Sequence, residues 1–200
     1  KLKCSNAVEH MTERLSTSAP PREDFGILLG LAYQRFVDAL NAHLRERGFD
    51  VDVAKYVAKQ LGFNEDKIEW KESPSGQRET LIQNDQVKFI AATYSITDTR
   101  KEKVDFAGPY LITGQSLLVK ADNTDITGPE SLQNNKKLCS VTGSTPAQRI
   151  KDKYPGVQLQ QYDTYSACIE ALKNGAIDAV TTDEVILAGY AAQSPGAFKI

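Results

Sequence analysis

Residues 137–162 read KLCSVTGSTPAQRIKDKYPGVQLQQY, and this stretch decides the class of fold. The runs at 137–141 and 157–162 have the length and the apolar or alternating character of strands, and the run at 147–153 is typical of a short helix. A strand, a helix and a second strand in this order predict a parallel β-α-β unit. The link from 142 to 146 is therefore expected at the carboxyl end of a strand.

The alternation continues on both sides of this unit. Towards the C-terminus we predict a helix at 166–174, a strand at 176–181 and a helix at 184–192, with Gly175 ending the first of these helices. Towards the N-terminus the pattern predicts helices at 51–61, 78–84 and 97–103, and strands at 67–71, 87–94 and 115–120. The whole order predicts an α/β fold with mostly parallel sheets.

The first 48 residues follow a different pattern. Residues 1–24 contain a Ser- and Pro-rich stretch, STSAPP at 16–21, and are predicted to be a linker with little regular structure. Residues 25–47 have helical periodicity, with an apolar stripe that includes Leu28, Phe36 and Leu44 and a stop at Gly48. That apolar face needs a partner, which is either another part of the chain or a second copy of it.

Charge and composition exclude several classes of function. The 24 Lys and Arg residues nearly balance the 26 Asp and Glu residues, for a net charge of -2, so no general attraction to nucleic acid is expected. The sequence lacks a GxSxG elbow, and its two histidines both fall in the first 48 residues, which argues against hydrolytic catalysis. Three cysteines without a CxxC pair support neither a metal site nor a metal cofactor.

Polar groups follow four of the predicted strands. Ligand sites of open α/β sheets gather at the carboxyl ends of strands, where helix N-termini present free N–H groups. The residues at these positions are Ser75 and Arg78, Ser95 and Arg100, Ser144 and Thr145, and Asp183. Two guanidiniums, several hydroxyls and one carboxylate suit a zwitterionic acidic amino acid.

Each of these residues also has an ordinary structural interpretation. Ser95, Thr97 and Ser144 are suitable helix N-caps, and Asp183 could cap the last helix. Arg78 and Arg100 could be solvated surface residues. The coincidence of complementary polar groups at four separate strand ends favours a binding site over these alternatives.

Four segments in the same order carry a resemblance to a known family. They are GFDVDVAKYVAKQLGF at 48–63, ATYSITDTRKEKVDFAGPY at 92–110, SVTGSTPAQRIKDKYP at 140–155 and IEALKNGAIDAVTTDEVILAGYAA at 169–192. Together they resemble the type 3 extracellular solute-binding proteins, which deliver polar amino acids to ABC importers, and most closely the glutamate-binding members of actinobacteria. The resemblance covers residues 48–200.

The resemblance implies a two-lobed fold of the type II periplasmic-binding-protein kind, which closes on its ligand, and not an enzyme. Arg100, Ser144 and Thr145 would bind the α-carboxylate, Asp183 the α-ammonium, and Ser75 and Arg78 the side-chain carboxylate, while Thr93 and Ser95 would complete the contacts. The expected partners are the membrane subunits of an ABC importer, and no cofactor and no nucleic acid are expected. The expected location is extracellular, at the cell surface or in the periplasm.

Cys139 and Cys168 have two interpretations. The residues alone leave a disulfide and a pair of buried free thiols equally open. The resemblance favours the disulfide.

The predicted domain organisation departs from the family in two places. It consists of an atypical segment at 1–48, a partial first lobe at 49–114, a second lobe at 115–192 and the start of a return to the first lobe at 193–200. The first lobe is expected to lack its first strand and its returning half, and the helix at 25–47 has no expected counterpart. The alternative function is a dimeric or chimeric interaction protein that associates through this helix and whose cleft is vestigial.

Overall fold

The computed structural model describes residues 2–6, 49–133 and 135–200. These residues form two compact units. Unit 1 contains the described residues up to 73 together with 78–111, and unit 2 contains 74–77 together with 112–200. The helix predicted at 25–47, and the dimer contact assigned to it, lie outside the described residues.

Unit 1 is built on a three-stranded parallel sheet. Its elements are β1 Leu2–Asn6, α1 Phe49–Gln60, β2 Ile68–Lys71, α2 Arg78–Gln83, β3 Ile90–Ala91 and α3 Asp98–Lys101. The strand order is β2-β1-β3, with Leu2 opposite Ile68 and Ser5 opposite Ile90. Five of these elements agree in type with the predicted ones.

Strand β1 corrects two predictions. Residues 2–6 were expected in a linker and the first lobe without a first strand, but Leu2–Asn6 forms the central strand of this sheet. A five-residue strand has little periodicity of its own, and its backbone pairs with residues more than 60 positions away, so the local sequence gives no signal for it. The strand predicted at 87–94 is also shorter, because only Ile90 and Ala91 pair with β1.

The core of unit 1 has two apolar clusters that meet at β3. Phe89 and Ala91 pack with Val53 and Ala54 of α1, whereas Ile90 belongs to the second cluster, which α2 covers. Successive side chains of a strand point to opposite faces, so the two clusters cover opposite faces of the sheet. Strand β3 therefore joins both halves of this core.

Unit 2 is a mixed five-stranded sheet with helices. Its elements are β4 Gln115–Lys120, β5 Lys137–Val141, α4 Thr145–Lys153, β6 Gln158–Tyr162, α5 Tyr165–Lys173, β7 Ala179–Asp183, α6 Glu184–Gln193 and β8 Phe198–Lys199. The order is β6-β5-β7-β4-β8. Strand β5 is parallel to β6 and β7, whereas β4 is antiparallel to β7 and β8. The α/β class and the mostly parallel pairing are confirmed, with β4 and β8 as the antiparallel strands.

Local signals fix the helix ends of unit 2. The Ser144 side chain accepts a hydrogen bond from the Ala147 N–H at the start of α4, and Thr164 does the same for Ala167 at the start of α5. Gly175 follows α5 with a φ of +74°, a conformation that glycine adopts without steric cost. The predicted helix stop at Gly175 is confirmed.

A disulfide joins β5 to α5. The Cα atoms of Cys139 and Cys168 are 5.8 Å apart, within the usual range, and both residues are fully buried. They pack with Leu118, Ile169 and Val180 in the main apolar cluster of unit 2. The structure therefore contains the Cys139–Cys168 disulfide that the resemblance favours.

None of the helices in the described part of the chain has both the length and the apolar character needed to cross a bilayer.

Candidate ligand-binding site

Arg100 is a buried cation of unit 1. It lies on α3, whose N-cap Thr97 accepts a hydrogen bond from the Arg100 N–H, and only 8% of the residue is exposed. Its Nε lies 3.2 Å from Glu79 Oε1, and its Nη1 donates to the Ser95 carbonyl at 2.9 Å. A buried guanidinium is tolerated when it has such partners. The interpretation of Arg100 as a solvated surface residue is wrong.

Arg78 is the second arginine of unit 1. It begins α2 and is partly buried. Its Nε donates to the Ser73 carbonyl at 3.3 Å, and its Nη1 donates to the Thr93 carbonyl at 3.4 Å. Carbonyls of Thr93 and Ser95 thus contact one arginine each, and the ring of Tyr94 lies under both guanidiniums. The structure brings Arg78, Thr93, Ser95 and Arg100 together.

Asp50 is a partly buried carboxylate of unit 1 that was not predicted as a site residue. It lies in the first turn of α1, and its Oδ1 is 3.1 Å from the hydroxyl oxygen of Tyr110, which in turn lies 2.7 Å from the Ala92 carbonyl oxygen. Burial raises the pKa of Asp50, while Tyr110, Arg78 and Thr93 act in the opposite direction. Burial, followed by the charge of Asp50, raises the pKa of Tyr110. An acidic residue in the first turn of a helix is common, so nothing in the sequence distinguishes Asp50 as a site residue.

Ser144 and Thr145 form the start of α4 in unit 2. Ser144 is 7% exposed, and its Oγ lies 3.3 Å from Ser140 Oγ, which is 2.9 Å from the Thr181 carbonyl. Ser144 is therefore a true N-cap, as its structural interpretation predicted, in a position fixed by the neighbouring strand. Pro146 has no N–H, and the Ala147 N–H is taken by the Ser144 side chain, so few N–H groups at this helix start remain for a ligand.

Asp183 lies at the same edge of the unit 2 sheet. It is the last residue of β7, which runs parallel to β5 with Cys139 opposite Val180, so the carboxyl ends of the two strands meet there. Asp183 also precedes α6, but within the described chain its side chain makes no capping hydrogen bond to that helix. Asp183 therefore occupies the N-cap position of α6, as its structural interpretation predicts, but without the side-chain hydrogen bond of an ordinary cap.

Ser75 belongs to a single 3₁₀ turn, Ser75–Gln77, that is grouped with unit 2. The turn lies against Gly143, where a Cβ would be only 2.6 Å from the Cα of Gly76. Gly143 also has a φ of +75°, so glycine is required there on both counts. Ser75 and Arg78 are predicted to bind the same side-chain carboxylate of the ligand, but they belong to different units.

Gln115, which was not predicted as a site residue, links the start of α4 to the sheet. Its Nε2 donates to Thr181 Oγ1 at 2.9 Å and to the Pro146 carbonyl at 3.3 Å, while its Oε1 accepts from Arg149 at 3.0 Å. These bonds hold the first turn of α4 against β7. In the described part of the chain, no group of three or more His, Cys, Asp or Glu side chains could hold a metal ion.

Comparison with known proteins places the chain in a family. Residues 33–153 match the model of the bacterial extracellular solute-binding proteins, family 3, and the chain belongs to that family. The match begins inside the segment 25–47, for which no family counterpart was expected. Members of this family are solute-binding proteins, so the predicted family is confirmed.

Individual relatives agree with this assignment. The glutamate-binding protein GluB of Corynebacterium efficiens is 57% identical over 157 residues, which cover 76% of this chain and 53% of the relative. The glutamine-binding protein GlnH of Bacillus subtilis is 42% identical over 144 residues, which cover 72% of this chain and 52% of the relative. The chain thus spans about half the length of the curated relatives that it matches.

Solved structures show the same fold. An ancestral arginine-binding protein bound to glutamine has a TM-score of 0.71 and 35% identity, covering 76% of this chain and 66% of that one. A cysteine-binding protein from Campylobacter jejuni has a TM-score of 0.71 at 29% identity, covering 76% of this chain and 60% of that one. The predicted family and fold class are confirmed.

Proposed function

We propose that this chain is the substrate-binding component of an ABC-type amino-acid importer and that its ligand is glutamate. The observation that carries the choice of glutamate is the pair Arg78 and Arg100 in unit 1. Their guanidinium carbons lie 5.0 and 4.4 Å from the centre of one ring, that of Tyr94. A ligand with two carboxylates can use two neighbouring guanidiniums, and arginine is the residue best suited to grip a carboxylate.

In this proposal the two ends of the ligand have separate partners. Arg100, with the helix start at Ser144 and Thr145, binds the α-carboxylate, since helix N-termini attract anions. Asp183 accepts the α-ammonium. Arg78 and Ser75 bind the side-chain carboxylate, and Thr93 and Ser95 complete the hydrogen bonds. Identity to a glutamate-binding relative supports the same choice of ligand.

The mechanism is a population shift. A ligand that contacts residues of both units binds the closed arrangement better than the open one and increases the fraction of closed molecules. We assign residues 49–114, with the added strand β1, to the first lobe and 115–192 to the second. The predicted return of 193–200 to the first lobe does not hold for β8, because Phe198–Lys199 pairs with β4 in the sheet of unit 2.

The partners of the whole protein follow from the same proposal. They are the membrane subunits of an ABC importer, which the ligand-bound form would contact at the cell surface or in the periplasm. A homodimer formed through residues 25–47 stays a separate prediction. A monomeric mass by light scattering would contradict that dimer without affecting the ligand proposal.

Isothermal titration of the 200-residue chain with L-glutamate, L-glutamine and L-aspartate tests the proposal. We expect saturable heat, with glutamate bound most tightly of the three. Glutamine should bind more weakly because it has no second carboxylate for Arg78 to contact. A folded sample that gives no heat with millimolar glutamate would contradict the proposed function, and tighter binding of glutamine would contradict the choice of ligand.

A further inference from the structure

Tyr94 is in contact with both arginines of the proposed site. The guanidinium carbon of Arg100 lies 4.4 Å from the centre of its ring and that of Arg78 lies 5.0 Å from it. Both distances are within the range of about 6 Å in which a cation is attracted by the π-electrons of a ring. The two cations come from different helices, Arg78 from α2 and Arg100 from α3, so the ring is a feature that they share.

The backbone on either side of Tyr94 reinforces this arrangement. The Thr93 carbonyl accepts from Arg78 Nη1 at 3.4 Å, and the Ser95 carbonyl accepts from Arg100 Nη1 at 2.9 Å. Three consecutive residues therefore supply one carbonyl to each arginine and a ring to both. Glu79 adds a third type of contact on Nε of Arg100, which partly offsets the repulsion between the two cations.

The ring of Tyr94 is itself well supported. It packs against Phe106, with the ring centres 5.1 Å apart and the planes tilted by 51°, at the edge of the apolar cluster that contains Leu81 and Val104. Its hydroxyl is buried and has no hydrogen-bond partner among the residues that the structure describes. Burial is the main reason that the pKa of this hydroxyl is raised above its ordinary value, so the hydroxyl is neutral at physiological pH. The contacts of Tyr94 with the two arginines are therefore made by its ring and not by its hydroxyl.

We propose that Tyr94 is a positioning residue that orients Arg78 and Arg100 together for the two carboxylates of a dicarboxylic amino acid. This inference rests on the proposed function. A guanidinium that is already oriented loses less side-chain freedom when the ligand binds, and preorganisation of this kind increases affinity. Because one ring orients both arginines, its loss should affect the α-carboxylate contact and the side-chain contact at the same time. Glutamine lacks the second carboxylate, so its binding should depend less on the ring.

Two substitutions separate the ring from the hydroxyl. Tyr94→Phe keeps the ring, and we expect it to bind glutamate as the wild type does. Tyr94→Leu keeps an apolar side chain without the ring, and we expect it to bind glutamate about tenfold more weakly or worse, with a smaller loss for glutamine. Both are measured by isothermal titration beside the wild-type chain, with circular dichroism to confirm folding. If Tyr94→Leu does not fold, Tyr94→Met replaces it, because the flexible methionine side chain fills irregular apolar space.

A second measurement needs no ligand. The Nε–H resonances of Arg78 and Arg100 should be displaced by the ring current in the wild type and in Tyr94→Phe, and both should move towards ordinary values in Tyr94→Leu. Unchanged arginine resonances, an unchanged affinity for glutamate, or equal losses for glutamate and glutamine would each overturn the inference. Failure of the wild type to bind any amino acid would instead count against the proposed function, while the resonances would still report whether Tyr94 orients the arginines.

Discussion

Arg100 and Glu79 form an ion pair in which the Nε to Oε1 distance is 3.2 Å and the side chains are only 10% and 17% exposed. Breaking a buried ion pair costs more stability than breaking a surface pair, because the remaining partner is left as an unpaired charge away from water. The pair also links α2 to α3, the two helices that carry the arginines of the proposed site.

Replacing Glu79 by glutamine should therefore destabilise the protein. We expect the free energy of unfolding to fall by about 1–3 kcal/mol, since the buried guanidinium loses its counter-charge. Urea unfolding measures the change. Glu170→Gln is the matched control, because its pair with Lys173 is exposed and should contribute less than about 1 kcal/mol. Equal effects of the two substitutions would show that burial does not strengthen the Arg100 pair.

Arg100→Ala and Arg78→Ala should have different effects on binding. We expect Arg100→Ala to abolish the binding of both glutamate and glutamine, because it removes the partner of the α-carboxylate. Arg78→Ala should weaken glutamate much more than glutamine, because only glutamate has a side-chain carboxylate. Isothermal titration measures both, with Lys101→Ala as the control, since Lys101 lies on the same short helix but is exposed and paired with Asp98. If Arg78→Ala lowers the affinity for glutamate and for glutamine equally, Arg78 does not bind the side-chain carboxylate.

The disulfide should contribute strongly to stability. It closes a loop with a sequence separation of 29 residues, for which the chain-entropy model gives about 3–4 kcal/mol at 25 °C. We expect a reducing agent to lower the midpoint of thermal unfolding. The double variant Cys139→Ala, Cys168→Ala should unfold at a lower temperature than the oxidised wild type and should not respond to the reducing agent. A midpoint that the reducing agent leaves unchanged in the wild type would contradict this prediction.

Asp50 should make stability depend on pH. Burial raises its pKa above the ordinary value of 3.8, so the folded state binds the proton more tightly than the unfolded state. The stabilisation from this proton is complete below pH 3.8 and is lost as the pH rises through the pKa of the folded state. The free energy of unfolding of the wild type, minus that of Asp50→Asn, should therefore decrease as the pH rises above this value.

Urea unfolding at a series of pH values measures that difference. Tyr110→Phe gives an independent check, because the Tyr110 hydrogen bond lowers the pKa of Asp50. Removal of this hydrogen bond should raise the pKa of Asp50 further, so the loss of stability should extend to higher pH. A difference between wild type and Asp50→Asn that does not vary with pH would contradict the assignment.

The sequence by itself determined most of unit 2. The predicted strands at 115–120 and 137–141 coincide with β4 and β5, and the predicted helix at 184–192 differs from α6 by one residue. The cap at Ser144 and the stop at Gly175 were also visible. These features depend on residues within a few positions of each other, and local periodicity and capping chemistry are what a sequence displays directly.

Only the tertiary structure decided how unit 1 is assembled. The central strand Leu2–Asn6, the short β3 and the contact between Asp50 and Tyr110 all join residues far apart in the chain. The sequence placed Arg78 and Arg100 near ligand-binding loops, but it could not show that one tyrosine ring lies under both. Contacts of this kind depend on which elements pack together, and that is settled by the burial of apolar surface across the whole unit and not by the neighbours of any one residue.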